Sequence, residues 1–137
     1  MRIIDRIFRK GKRKEKESSV GQSLPEFTHL EKICSDSPEI YNILKSYMFL
    51  NPEKINKSVE SAVSKAKEYE KAKDLLRAAI WYRIAGGLAL YQGDVVKVKE
   101  YFRRYSKLIG KDVKIVEFAE EAVKKAKEYY MKYLKNG

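Results

Sequence analysis

Between Leu75 and Tyr91 the chain reads LLRAAIWYRIAGGLALY, and only Arg77 and Arg83 in that stretch carry charge. Its length, its freedom from proline and its alanines and leucines predict a helix. Its apolar residues do not keep to one side, however: Leu75, Leu76, Ala78, Ala79, Ile80, Trp81, Tyr82 and Ile84 already go all the way round. A helix with no polar face has to be covered on every side. The segment is therefore expected at the centre of the fold, with other helices packed around it. Gly86 and Gly87 stand in its most apolar part, where two glycines cost about 2 kcal/mol relative to alanine. Either the missing side chains let a neighbouring helix pack closely, as Ala79, Ala85 and Ala89 on the same element would also allow, or the chain breaks there into two short helices.

The remaining punctuation is sparse, with three prolines and seven glycines in 137 residues, and 36% of the chain is charged. Long solvated helices fit that composition better than short strands, which would need a turn every ten residues or so. Leu24-Pro25-Glu26, Ser37-Pro38-Glu39 and Asn51-Pro52-Glu53 each read as a helix start, since proline at the first helical position gives up an N–H that has no partner there and the glutamate complements the helix dipole. Ser37 and Asn51 are the expected caps. Helices are predicted over 25–34, 38–50, 52 to about 73, and 75–91. Gly93 and Asp94 then stop one helix and cap the next over 95–109. Gly110 and Asp112 repeat the device before a last helix over 113–135. The apolar stripes of these helices are regular, as at Val95, Val98, Phe102, Tyr105 and Ile109. The fold class is all-α, an antiparallel helical bundle, with residues 22–137 as a single helical domain.

Residues 1–21 differ from the rest. The first 17 hold eight Lys/Arg against Asp5, Glu15 and Glu17, a net charge of +5, and the remaining 120 residues carry +6 of the total +11. MRIIDRIF places Ile3, Ile4, Ile7 and Phe8 on one face of a helix too short to persist alone in water, so a disordered basic N-terminal arm is expected. Its Arg2, Arg6, Phe8, Arg9, Lys10, Lys12, Arg13 and Lys14 could bind an anionic membrane surface, because apolar insertion and charge attraction act together. The same cations could neutralise nucleic-acid phosphates, or the arm could be a solubilising tail or a strap folded onto its own body.

Ala66, Tyr69, Ala78, Tyr82 and Ala85 fall at the spacings of tetratricopeptide helical hairpins: a small residue, an aromatic three later, then a small residue, an aromatic four later, and a small residue three later. Over residues 60–91 the chain resembles one such hairpin, with its turn at Lys73-Asp74. Ala79-Ile80-Trp81-Tyr82 with Ala85, followed by Lys99-Glu100-Tyr101, Arg104 and Leu108, is similar to the three-helix MIT-type domains. The first resemblance implies a short stack of helical hairpins, and both imply the same activity, holding a helix or an extended peptide in a groove between helices.

The residues for catalysis are few. His29 and Cys34, each the only one of its kind, cannot supply a structural zinc site, and read better as a partly exposed histidine and a small buried thiol than as a base and nucleophile. Gly86-Gly87 lacks the lysine of a phosphate-binding loop and lies within a helix instead of before one. No enzyme activity and no cofactor is expected. YFRRY at 101–105 and KEYYMKYLK at 127–135 interleave aromatics with cations, as base-stacking surfaces do, but at helical spacing tyrosines more often finish the edge of a core. Arg77 and Arg83 must carry their charge out of the central helix to solvent, an acid or a ligand. Together with Trp81, Arg103 and Arg104 they are the candidate lining of a partner-binding groove.

The expected function is that of a non-enzymatic protein-binding adaptor whose partner is an acidic peptide or helix. The arm localises it or adds affinity. The alternative is a nucleic-acid- or ribosome-associated basic helical protein. Without an apolar run long enough to span a membrane or a secretory leader, a cytoplasmic setting is expected, with the arm able to hold the protein at a membrane periphery. The sequence does not fix the oligomeric state, since the all-apolar helix could be covered by its own chain or by a second copy.

Overall fold

The structure, a computed structural model, describes residues 25–134; the basic arm and all its candidate residues lie outside them. Every regular element among the described residues is helical. In chain order these are α1 (Pro25–Ile33), α2 (Pro38–Tyr47), a 3₁₀ turn (Pro52–Ile55), α3 (Val59–Lys71), α4 (Leu75–Gln92), α5 (Val95–Ile109), α6 (Lys114–Glu117) and α7 (Ala119–Tyr129), which runs on into a π turn (Tyr130–Leu134).

The all-apolar segment is α4, and it packs against α3, α5, α7 and α2. Its cover is complete from Ala85 to Leu90, six consecutive buried residues. Its first turns are more open: Leu75 is 50% exposed, and Ile80, Trp81 and Ile84 are half-buried. Short connections make α4 antiparallel to both its chain neighbours. Lys73 turns through the left-handed region at φ 61°, and Asp74 then caps α4 by accepting from the Arg77 N–H at 3.2 Å. Gly93, at φ 75°, ends α4, and Asp94 caps α5 through the Lys97 N–H at 3.1 Å. α3 and α5 consequently run the same way beside α4, near enough to each other for ion pairs. Lys97 meets Glu60 at 3.6 Å near their starts, and Arg104 approaches Glu70 at 3.9 Å near their ends.

α4 passes through Gly86 and Gly87 without a break. What comes close is chiefly a pair of rings, one to each glycine, instead of a helix axis. A Cβ on Gly86 would lie 2.5 Å from the ring of Phe102 on α5, and one on Gly87 would lie 2.6 Å from the ring of Phe49 and 3.1 Å from the Tyr47 carbonyl. Phe102 in turn meets Tyr47 edge to face at 5.0 Å, a favoured aromatic geometry. Tyr130 donates its hydroxyl hydrogen bond to the Phe49 carbonyl, so the end of α7 is fastened to the segment that fills the second notch. Lys125 of α7 secures the other half, reaching Asp36 at 3.0 Å and the Ile33 carbonyl at the end of α1 at 3.1 Å. The Lys125 hydrogen bond holds the Asp36 carboxyl below its usual range.

Three helix boundaries differ from those expected. The helix predicted from Pro52 is only a 3₁₀ turn. Asn56 then adopts φ 53°, Asn51 makes no side-chain cap bond, and α3 starts at Val59 under Ser58, whose hydroxyl accepts from the Ser61 N–H at 3.0 Å. A left-handed asparagine followed by a capping serine is a stronger stop and start than proline alone. α2 ends at Tyr47, three residues early, and Ser37 makes no side-chain cap bond. The last helix is interrupted at Phe118, with φ −107° and ψ 25°, and Val113 takes the N-cap position expected for Asp112. Neither proline nor glycine marks that interruption.

The two notches differ in how far their occupants can yield, since Phe102 is fully buried and Phe49 only half-buried. Gly86→Ala is expected to lower stability by about 1–3 kcal/mol, the usual penalty of overpacking, despite a helix-propensity gain of about 1 kcal/mol. Gly87→Ala is expected to lose less. Urea denaturation of the two variants checks the order, and a Gly86→Ala protein more stable than the parent would show that Phe102 does not need the notch.

Candidate functional site

The alternation of residue types along α5 turns one face inward and leaves the other charged. Val98, Tyr101, Phe102 and Tyr105 are buried, while Glu100, Arg103, Arg104 and Lys107 are exposed. The tyrosines of YFRRY therefore finish the core edge, and only the arginines face out. The same holds for Tyr129 and Tyr130 in the C-terminal stretch.

Two adjoining hollows lie along this outer face, each about 650 Å³. The first, toward α3, is lined by Leu108 and Arg104 with Glu70 and Glu100. The second, toward α6, has Val113, Val116 and Lys111 with Asp112 and Glu117. Arg103 and Lys107 line both and so stand as a ridge between them. Gly110, at φ 72°, turns the chain back beneath the second hollow, and Ser106 fixes the turn by donating to the Lys111 carbonyl.

At the edge of the first hollow the fully buried Tyr82 donates to Glu70 at 2.6 Å and accepts from Arg104 at 3.3 Å. The Arg104 guanidinium also lies over the Tyr82 ring, 5.5 Å from its centre. Burial is the main cause that pushes the Tyr82 phenol up to about 12, reinforced by the Glu70 hydrogen bond and charge and opposed by Arg104. Glu70 and Arg104 are thus partly neutralised by each other. Arg103 and Lys107 make no ion pair among the described residues.

Of the five groove candidates, the structure brings Arg103 and Arg104 together and places the other three elsewhere. Arg77 is exposed, paired with Asp74 at 3.4 Å and lying over Tyr69 at 5.8 Å. Trp81 is half-buried with the Lys65 ammonium 5.8 Å from its ring. Arg83 donates to the Ser46 carbonyl and lies 5.3 Å from the centre of the Tyr47 ring, and burial lowers its pKa. None of the three lines either hollow. Sequence reasoning overlooked Lys107, one turn beyond Arg103 on the same face, and Val113 and Val116, which only the Gly110 turn brings alongside. Leu108 had entered through the MIT-type likeness alone.

His29 stacks flat on Tyr133 with ring centres 4.1 Å apart. Burial pushes the Cys34 thiol up to about 11, so it stays protonated at neutral pH, where a nucleophile would need the thiolate. Among the described residues no His, Cys, Asp or Glu group could hold a metal ion, and no helix is long and apolar enough to cross a membrane.

The Tyr82 shift has a definite sign. An unfolded tyrosine ionises near pH ~10, while the folded one keeps its proton up to about pH 12. Between those values the native state binds more protons, so stability is fully present below the unfolded pKa and falls as pH rises through the window. Urea denaturation across the alkaline range is expected to show a shallower loss for Tyr82→Phe than for the parent; equal slopes would mean that Tyr82 does not contribute to the alkaline destabilisation.

No protein-family model matches the chain, and no curated protein or solved structure matches it either. The likeness to tetratricopeptide hairpins rests on Ala66, Tyr69, Ala78, Tyr82 and Ala85 themselves.

Proposed function

We propose that the chain is a non-enzymatic, cytoplasmic protein-binding adaptor, in which a tetratricopeptide-like hairpin of α3 and α4 carries α5 as its recognition helix. The basic arm adds affinity or holds the protein at an anionic membrane surface. The observation behind this reading is the ridge of Arg103 and Lys107, exposed, unpaired among the described residues, and flanked by a hollow on each side. Like charges one helical turn apart disfavour the helix by about 0.2–0.5 kcal/mol, which offsets much of what Lys107 contributes as a cation in the last turn of α5. Other cations of the body are used across elements, as Lys114 is with Glu39 at 3.1 Å and Lys125 with Asp36. The four acids that line the hollows, Glu70, Glu100, Asp112 and Glu117, balance the four cations there, Arg103, Arg104, Lys107 and Lys111, and so make this face a poor match for a continuous phosphate backbone, which favours a protein partner over nucleic acid at this site.

A crosslinked pulldown from cell extract tests the reading. It compares the full chain, a full-length variant with the arm's Lys and Arg changed to Gln, and Arg103→Glu/Lys107→Glu, each at low and high salt. A discrete protein is expected with the first two, surviving high salt, and is expected to be lost with the third. Recovery of mainly nucleic acid or lipid, abolished by neutralising the arm, would show that the arm carries the function instead.

A further inference from the structure

The adaptor reading leaves open what kind of segment the ridge holds, and the arrangement of α5 restricts it. Arg103 and Lys107 are four residues apart, so their Cα atoms are separated by about 6 Å along the helix axis. Two flexible cations at that spacing can close on one carboxylate from both sides, with charge-assisted hydrogen bonds that are shorter and stronger than neutral ones. Glu100, Arg104 and Leu108 repeat at i, i+4, i+8 and form the row on one flank of the ridge. Ser106 and the chain beyond Gly110, with Val113 and Val116, form the other. The hollows therefore lie to the left and right of the ridge, and a segment that uses both must cross α5 instead of running along it.

An extended peptide meets that requirement. Its alternate side chains point the same way at about 3.3 Å per residue, so residues i and i+4 stand about 13 Å apart with i+2 between them. A helix with its side chains is about 10–12 Å across. One carboxylate over the ridge thus places the side chains two residues before and two residues after it in the two hollows. Leu108 offers an apolar contact in the first, and Val113 with Val116 does so in the second. Apart from the ridge, Glu70 and Glu100 outnumber Arg104 in the first hollow and Asp112 and Glu117 outnumber Lys111 in the second, which favours cations at the ends of the segment, four positions from the central acid, where side chains again face α5.

Resting on the adaptor reading, we infer that α5 binds an extended peptide across its outer face: one acidic residue between Arg103 and Lys107, apolar residues two positions to either side, and basic ends. The arm of this chain does not qualify as the occupant, because its dense positive charge would meet the ridge. A polyanion does not qualify either, because both its ends would meet carboxylates. The specificity is carried by a charge pattern that reverses twice over a few residues.

Fluorescence anisotropy with a labelled synthetic peptide, Lys-Ser-Leu-Ser-Glu-Ser-Leu-Ser-Lys, whose glutamate, leucines and lysines all fall on one face of an extended chain, and the full chain tests this. Binding is expected, weakened at least tenfold by Arg103→Glu or Lys107→Glu, by a Glu-to-Gln change at the peptide's centre, and by a Leu-to-Ser change at its shoulders. A peptide with lysine at its centre is expected to bind Arg103→Glu/Lys107→Glu better than the parent. Both cations are exposed, and thermal denaturation checks that the variants fold. The inference is overturned if the serine-shouldered peptide binds as well as the leucine one, if an RNA oligonucleotide competes at equal concentration, if the variants bind unchanged, or if the peptide does not bind. In that last case a protein captured from extract in an Arg103- and Lys107-dependent manner would leave the adaptor standing and remove only this motif. Capture insensitive to both residues would remove the ridge from the adaptor as well.

Discussion

The fold depends on two rings seated in one helix. α4 gives up side chains at Gly86 and Gly87, and Phe102 and Phe49 occupy the space. Phe102 belongs to α5, so its seat fixes that helix in rotation as well as in distance. With Phe102 turned inward, Val98, Tyr101 and Tyr105 follow by helical spacing, and Arg103, Arg104 and Lys107 are left on the outside. Phe49 follows α2, and its carbonyl receives the Tyr130 hydroxyl from the end of α7. Burial raises the Tyr130 pKa, which keeps that donor protonated throughout the physiological range. One notch thus sets which face of α5 is turned outward, and the other joins α2 and the end of α7 to the centre of the body.

The parts of this arrangement that were legible in the sequence are those set by local chemistry. An apolar segment without a polar face announced the central helix. Gly93 with Asp94 marked a stop and a cap within two residues, and both act as such. The close approach at the glycines was legible as a possibility, but the sequence could not say that rings from α5 and from the chain after α2 would make it. Pro52 misled because a proline favours a helix start without requiring the helix to continue, and the decision fell to Asn56 and Ser58 a turn later. The interruption at Phe118 has no local signal at all.

The site shows the same division. Arg103 and Arg104 could be placed on the outer face from the phase of Phe102 and Tyr105. Arg83 looked equally available because a charge on an apolar helix has to go somewhere; the Ser46 carbonyl and the Tyr47 ring that receive it are 37 and 36 residues away in sequence. Arg77 and Trp81 share α4 with Arg83, yet their partners are Asp74, Tyr69 and Lys65. Contacts both local, as for Arg77, and tertiary, as for Arg83, therefore decide which of these cations are used internally.

That sorting separates folding from recognition. Surface ion pairs such as Lys97 with Glu60 or Lys114 with Glu39 contribute only about 0–1 kcal/mol each. That Arg103 and Lys107 make no ion pair among the described residues consequently costs the fold little, whereas a ligand that excludes water from the ridge would make each contact worth more than it is in the open. The adjacent residue, Phe102, has the opposite character: it is fully buried and its ring fills the notch. Two neighbouring positions on α5 thus answer to different constraints, one to the packing of Gly86 and the other to solvent. Arg103 and Lys107 are exposed, so the charge of the ridge can change while the rings that hold α5 in place stay as they are.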